Sequence, residues 1–328
     1  MSEILHLQQK LSELTNQYDL LTKLIEGLRT ELVLEIGTRS RLSLEHQIKI
    51  EMDKRDEIEK QKKMVEAVHV ESRLRQAFSM LNYHDQVNLF RQLIIKSPIG
   101  AFVIHSKPEY GKTWLLSRLV DRVLHLQLAQ EGYYPSTLYK VHVKIQNRIR
   151  YWNVEALRSA LTQKVDLTYA DSLQQVAEQV HRLWQTQTVI LTFEDLGVMN
   201  TKDIEQFIRE FWFYLVEKAQ PNLSEKRYKL LMFLVERSNT IDSWPIRFAE
   251  QIDATWEPCM LVKPPSLTGF SKEVLTEWIK QQSEILPNQV HSVQIEEILE
   301  NSKNGTPLQL KEYIGELCNC DFEMFRMI

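Results

Sequence analysis

Residues 100 to 130 restrict the fold more than any other part of this sequence. The apolar run Gly100-Ala101-Phe102-Val103-Ile104-His105 has the length and composition of a buried parallel strand. A strongly helical segment opens at Thr113 and continues to Gln130. Between them lies Ser106-Lys107-Pro108-Glu109-Tyr110-Gly111-Lys112-Thr113. The pattern Gly-x-x-x-x-Gly-Lys-[Ser/Thr] holds phosphates by geometry. A strand feeds a tight loop, the loop feeds a helix, and N–H groups at the helix start surround the anion. Gly111, Lys112 and Thr113 keep that pattern. Gly111 would allow close backbone approach, Lys112 would reach the β- and γ-phosphates, and Thr113 would ligate Mg2+. The nucleotide-binding candidates here are therefore Ser106, Gly111, Lys112 and Thr113. ATP and Mg2+ are the cofactors an intact site of this kind takes. Glycine is scarce, 9 in 328 residues, so each one that occurs is worth inspecting.

The departures from the pattern weigh equally. Ser106 stands where the first glycine belongs. Pro108 removes one N–H donor. Glu109 brings a carboxylate to the phosphate position, and Tyr110 is bulky. Two readings stay open: a nucleotide site with weak ATPase activity, or a loop shape kept as a scaffold turn. The degenerate loop favours the non-catalytic one.

The rest of the central region fits an α/β domain. Strand candidates recur at 138–145, 189–193, 230–235 and 260–262. Helical stretches lie around 153–165, 171–185, 201–219 and 243–250. Such alternation predicts an open, mainly parallel sheet covered on both faces. A phosphate-binding loop needs a second acid at the end of another strand. Val189 to Phe193 followed by Glu194 and Asp195 supplies it. One carboxylate would hold Mg2+ through water and the other would polarise the attacking water, with Asp195 the candidate metal ligand. Glu194 occupies a place usually held by aspartate. Arg237, after the strand 230–235, is the candidate γ-phosphate sensor.

The first 70 residues read as helix. Leu7, Leu11, Leu14, Tyr18, Leu21, Ile25, Leu28 and Leu32 form an a/d seam. It breaks at Ile36-Gly37-Thr38, where Gly37 is expected to end the helix in the left-handed conformation. A second helix, about 39–68, carries Leu44, Ile48, Ile58 and Val65, with Glu51, Arg55 and Lys62 interrupting the seam. An antiparallel hairpin is the simplest account, and dimerisation through the same seam is the rival. An amphipathic helical stretch covers 70–98. Beyond 264, the segments 271–282, 294–302 and 307–318 predict a small helical domain. The expected domains are 1–70, a hairpin or coiled coil; 71–263, the α/β core; and 264–328, a lid-like helical domain.

Taken in order, the loop at 106–113, the acidic strand end at 194–195, Pro265-Ser266-Leu267 before a helix with Trp278, and Gly305-Thr306-Pro307-Leu308-Gln309-Leu310 resemble the STAND class of AAA+-related signalling P-loop NTPases. The resemblance implies that Gly305 and Pro307 pack against the nucleotide, and it makes Pro307 a further nucleotide-binding candidate. The segment 104–116 is similar to the bacterial inactive STAND group, in which the P-loop is eroded while the fold remains. Lys112 and Thr113 depart from that erosion. The N-terminal hairpin resembles helical adaptor segments found beside such domains in bacterial conflict and signalling systems. The implied function is that of a signalling or adaptor protein, with other proteins as partners through the N-terminal helices. The alternative is an active Mg-ATP-dependent switch.

A net charge of −4 and a pI near 6.2 argue against a nucleic-acid wrapper and an electrostatic membrane binder. One basic stretch, Lys140, His142, Lys144, Arg148 and Arg150 with Tyr139, Tyr151 and Trp152, leaves nucleic-acid binding as a third reading. The same residues also suit a solvated edge strand. Three cysteines, Cys259, Cys318 and Cys320, show no zinc spacing. No apolar run approaches the about 20 residues a bilayer crossing needs. The N-terminus has no signal-peptide pattern. The expected location is cytoplasmic.

Overall fold

The seam read in the first 70 residues closes within one chain. In the computed structural model, helix α1 (Ser2–Leu34) is followed by α2 (Thr38–Phe78) after a three-residue turn. Ile25 and Leu28 of α1 pack against Ile48 of α2, with Leu32, Leu44 and Met52 around them. Further along, the Arg55 guanidinium lies 5.8 Å from the centre of the Tyr18 ring. Residue numbers thus rise along α1 as they fall along α2, which makes an antiparallel hairpin. Arg55 interrupts the seam without breaking it, because its stem is apolar and its cation meets an aromatic face.

Gly37 does not adopt the left-handed conformation expected of it; among the described residues the glycines with positive φ are Gly111, Gly132 and Gly305. Its carbonyl instead accepts the Arg41 amide at 3.0 Å, and its N–H donates to the Glu35 carboxylate at 2.8 Å. It therefore starts α2 rather than ending α1.

The structure describes residues 2–81, 83–132, 138–145, 152–221, 228–236 and 240–320. The chain divides into two units. The first joins residues 1–78 to 276–298 and 311–328; the second joins 79–275 to 299–310. The tail expected as one helical domain is thus shared between them. Within the first unit α2 runs past the expected residue 68, because its last turns bury Leu74, Ala77 and Phe78. Trp278 stacks on Phe78, 5.5 Å between ring centres, and donates its indole N–H to the Ala77 carbonyl at 2.8 Å. The Arg73 guanidinium donates to the carbonyls of Glu284, Ile285 and Leu286.

The second unit is an α/β domain built on a six-stranded parallel sheet. Its elements are α3 (His84–Lys96), β1 (Ile99–His105), α4 (112–130), β2 (Leu138–Lys144), α5 (Val154–Lys164), α6 (Leu173–Trp184), β3 (Thr188–Glu194), α7 (201–219), β4 (Leu230–Glu236), β5 (Phe248–Ala249) and β6 (Leu261–Val262). Helices α8 (Lys272–Gln281), α9 (Asn288–His291), α10 (Ile295–Asn301) and α11 (Pro307–Leu317) follow among the described residues. The strand order is β2-β3-β4-β1-β6-β5, with every pairing parallel. Each position of β1, β3 and β4 is buried, which is why these strands read as continuous apolar runs rather than alternating ones. Phe193 meets Phe207 at 4.9 Å, and Phe207 stacks on Phe211 at 5.3 Å. On the other side of the sheet, Phe90 packs on Phe102 and Phe233, 5.4 and 5.5 Å between ring centres.

The helix expected at 243–250 does not form. A short 3-10 turn, Ile241–Ser243, precedes Pro245, and the chain then extends into β5. Proline has no amide to carry a helix on from that turn. Among the described residues, no helix is long and apolar enough to cross a membrane.

Candidate functional site

A parallel sheet sends the ends of β1, β3 and β4 to one edge. In the register His105 aligns with Glu236 and Glu194 with Val235. β4 lies between β1 and β3, so the loop after β1 and the carboxylates after β3 share that edge. This meets the topological requirement of a P-loop site, where ligands sit beyond the carboxyl ends of strands.

The loop reproduces the P-loop path with its groups turned inward. Gly111 has φ +74° and caps the helix that begins at Lys112. Glu109 also adopts φ +74°, which is costly for a residue with a side chain. Two bonds hold it there. Its carbonyl accepts the Leu308 amide at 3.1 Å, and its carboxylate accepts the Gln309 side-chain amide at 2.9 Å. The carboxylate at the phosphate position is thereby turned onto the start of α11. A side chain at residue 111 would collide with the Tyr83 hydroxyl and lie 3.2 Å from Pro307. Pro307 therefore packs against the loop at Gly111. Gly305 supports this placement: its φ is +74°, and its carbonyl accepts the Phe270 amide at 2.9 Å. A Cβ at 305 would strike the Phe270 carbonyl, so only glycine fits.

Lys112 is buried, and its ammonium group donates to the Ser106 carbonyl at 2.8 Å, the Ser106 hydroxyl at 3.0 Å and the Lys107 carbonyl at 2.6 Å. Ser106, in place of the first glycine, supplies two of those oxygens. A lysine held by three oxygens of its own loop is satisfied in the way a phosphate would otherwise satisfy it. Thr113 is exposed at the helix start. The residues present do not fit a triphosphate. Pro108 lacks an amide, Glu109 is an anion tied elsewhere, Lys112 is engaged within the loop, and Tyr83 and Pro307 close over Gly111.

Glu194 ends β3 and Asp195 follows it. Glu194 is buried and faces the edge strand, with one oxygen 3.1 Å from the His142 imidazole and the other 4.0 Å from the Lys144 ammonium. Asp195 has φ +65°; its amide donates to the Val235 carbonyl at 2.8 Å and its carbonyl accepts the Val198 amide at 3.1 Å. A carboxylate that the sequence reading passed over, Glu236 at the end of β4, is buried and accepts the Gly197 amide at 2.6 Å. Its signal was present: an acid directly ending a six-residue apolar run. Tyr83 and Gln309 were also missed, because residues remote in sequence carry no local sign of meeting the loop. Arg237 lies outside the described residues.

His105, ending β1, is buried with its Nε2 2.9 Å from the Pro264 carbonyl. Burial pushes its pKa below the usual histidine value, and the bond to Pro264 opposes that shift. The basic stretch on β2 is largely answered by acids of the chain itself. Lys140 pairs with Asp121 at 3.0 Å, His142 and Lys144 face Glu194, and Tyr139 bonds to Asp166. Arg148, Arg150 and Tyr151 lie outside the described residues.

The profile of the inactive STAND family matches residues 78–235, a little under half of the chain. That span holds α3, the whole loop, strands β1 to β3 and all of β4 but Glu236. No curated protein matches the chain in sequence. Similar solved structures include the Aeropyrum pernix ORC1 protein in complex with DNA, at 12% identity and a TM-score of 0.40, covering 79% of this chain and 61% of that one. The Aeropyrum pernix ORC2 protein in ADPNP-ADP complexes has 14% identity and a TM-score of 0.40, covering 71% and 59%. C. elegans PCH-2 has 9% identity and a TM-score of 0.27, covering 77% and 67%. The chain spans about three fifths of the length of the two Aeropyrum proteins.

Proposed function

We propose that the inactive STAND domain matched at residues 78–235 is the non-hydrolysing scaffold of a cytoplasmic signalling or adaptor protein that works by contact with other proteins. One observation carries this reading: the Lys112 ammonium is bonded to three oxygens of its own loop. The group that would bind phosphate acts as an internal strut. It braces the turn between β1 and α4, while Pro307, Leu308 and Gln309 brace the turn from outside. A rigid turn of this kind presents surface without chemistry. The N-terminal helices are the natural surface for partner helices, as in the bacterial conflict and signalling systems whose adaptor segments they resemble.

The second reading is an Mg-ATP-dependent switch. It is favoured by the retained Gly111-Lys112-Thr113 and by the shared edge that brings Asp195 to the side of the loop. A titration with fluorescent ATP, with and without Mg2+, separates the two. The scaffold reading expects no saturable binding up to millimolar nucleotide. Micromolar binding that disappears in Lys112→Ala overturns it in favour of the switch.

A further inference from the structure

The hairpin buries one face and leaves another uncovered. Its inner seam is the Ile25, Leu28 and Ile48 cluster. A second stripe on α1 passes through Leu20, Leu24 and Gly27, four and three residues apart and so on one face. Leu20 is 67% exposed and Leu24 46%. On α2 the matching stripe holds Ile50, Lys54, Glu57, Met64 and Val68, of which Ile50, Met64 and Val68 are exposed apolar side chains. The two stripes meet in an open groove lined by Leu20, Leu21, Asp53, Lys54, Glu57 and Ile58. Exposed leucines beside a groove with charged rims are a surface that another helix can cover.

Two features indicate what covers it. The first is charge. Helix α1 carries five acidic and three basic side chains; α2 carries eight acidic and ten basic ones. The helices are thus oppositely charged, at −2 and +2. Of the two-fold arrangements open to a second hairpin, the one that sets α1 of each copy against α2 of the other satisfies this complementarity twice. The second is Gly27. It stands in the middle of a 33-residue helix, where glycine is unfavourable relative to alanine. Among the described residues, nothing beyond its chain neighbours and its own helix backbone lies within 4 Å of where its Cβ would be. A glycine next to two exposed leucines lets another helix approach closely.

We infer that the occupant of this face is a second copy of the chain, joined through the hairpins as a four-helix bundle. The inference rests on the reading of the N-terminal helices as an interaction surface, and names the partner.

Sedimentation equilibrium of the full-length protein at roughly 50 μM, well above the affinity range of stable dimers, tests it. The wild type is expected at twice the 38.8 kDa chain mass. The double variant Leu20→Asp/Leu24→Asp is expected at the chain mass, with unchanged helix content by circular dichroism. Gly27→Leu guards against misfolding as an explanation, because leucine raises intrinsic helix propensity. It is expected to weaken association at least about tenfold, the effect of roughly 1.4 kcal/mol. A monomeric wild type overturns the inference. So does a Gly27→Leu protein, or a folded double variant, that dimerises as tightly as wild type. These failures leave the scaffold reading of the P-loop standing, since the ATP titration decides that separately.

Discussion

The central strands and the N-terminal hairpin solve the burial problem in opposite ways. Every position of β1, β3 and β4 is buried, with Phe90, Phe102, Phe193, Phe207 and Phe233 filling the layers against the sheet. Away from its base, the hairpin buries Leu14, Ile25, Leu28 and Ile48 among its described residues. A parallel sheet must be covered on both faces by its own crossovers, so its core is complete within the chain. Two helices have one mutual seam and cannot cover their outer faces. The sheet is therefore the self-sufficient part, and the hairpin is the part with an outer face left uncovered.

Substitutions sharpen this contrast. The largest loss is expected from Phe233→Ala, which empties a site between Phe90 and Phe102. It should cost about 3–5 kcal/mol in denaturant unfolding. A cost near zero would break the claim that the sheet carries its own core. Ile25→Ala removes the best buried side chain of the hairpin seam, where neighbours relax and water reaches the helices' outer faces. Its expected cost is lower, about 2 kcal/mol, and equality with Phe233→Ala would erase the comparison.

Acid gives a smaller effect. His105 is held with its pKa below the ordinary 6.5, so the unfolded chain binds this proton first. Its contribution is complete above about pH 6.5 and is lost as pH falls from there toward the folded-state value. The thermal midpoint should drop on going from pH 7.5 to 5.5, and His105→Gln should flatten the drop. His69 and His125, also lowered by burial, add to the slope, so flattening by one proton rather than its abolition is the expected result. An unchanged slope would place His105 in water. The smallest effect belongs to the surface pair of Arg209 and Glu205, 2.8 Å apart on α7. Arg209→Ala should change stability by less than about 0.5 kcal/mol.

Much of this molecule was legible in its sequence. The three apolar runs at the centre of the sheet are recognisable because these strands are buried on both faces, and a chain so poor in glycine singles out Gly111. The hairpin followed from the seam through Ile25 and Leu28. What escaped depends on contacts between distant residues. The segment 243–250 has helical composition but holds Pro245, and its end pairs with β6. Glu109 reads as an obstacle to phosphate. Its carboxylate in fact bonds to Gln309, 200 positions away. The two carboxylates after β3 looked like a matched pair. Glu194 turns to His142 and Lys144 because the strand beside it supplies an imidazole and an ammonium group. Local pattern gives the path of the P-loop, and only tertiary contacts decide whether its groups remain available.

The central claim is that Lys112 supports its own loop rather than a phosphate. Thermal unfolding of wild type and Lys112→Ala, each with and without millimolar Mg-ATP, tests it most directly. The account predicts that Lys112→Ala is less stable by roughly 1–3 kcal/mol, the cost of stranding the loop oxygens it satisfies, and that nucleotide moves neither midpoint. A wild type stabilised by Mg-ATP, together with a Lys112→Ala protein of unaltered stability that no longer responds to it, would contradict the account.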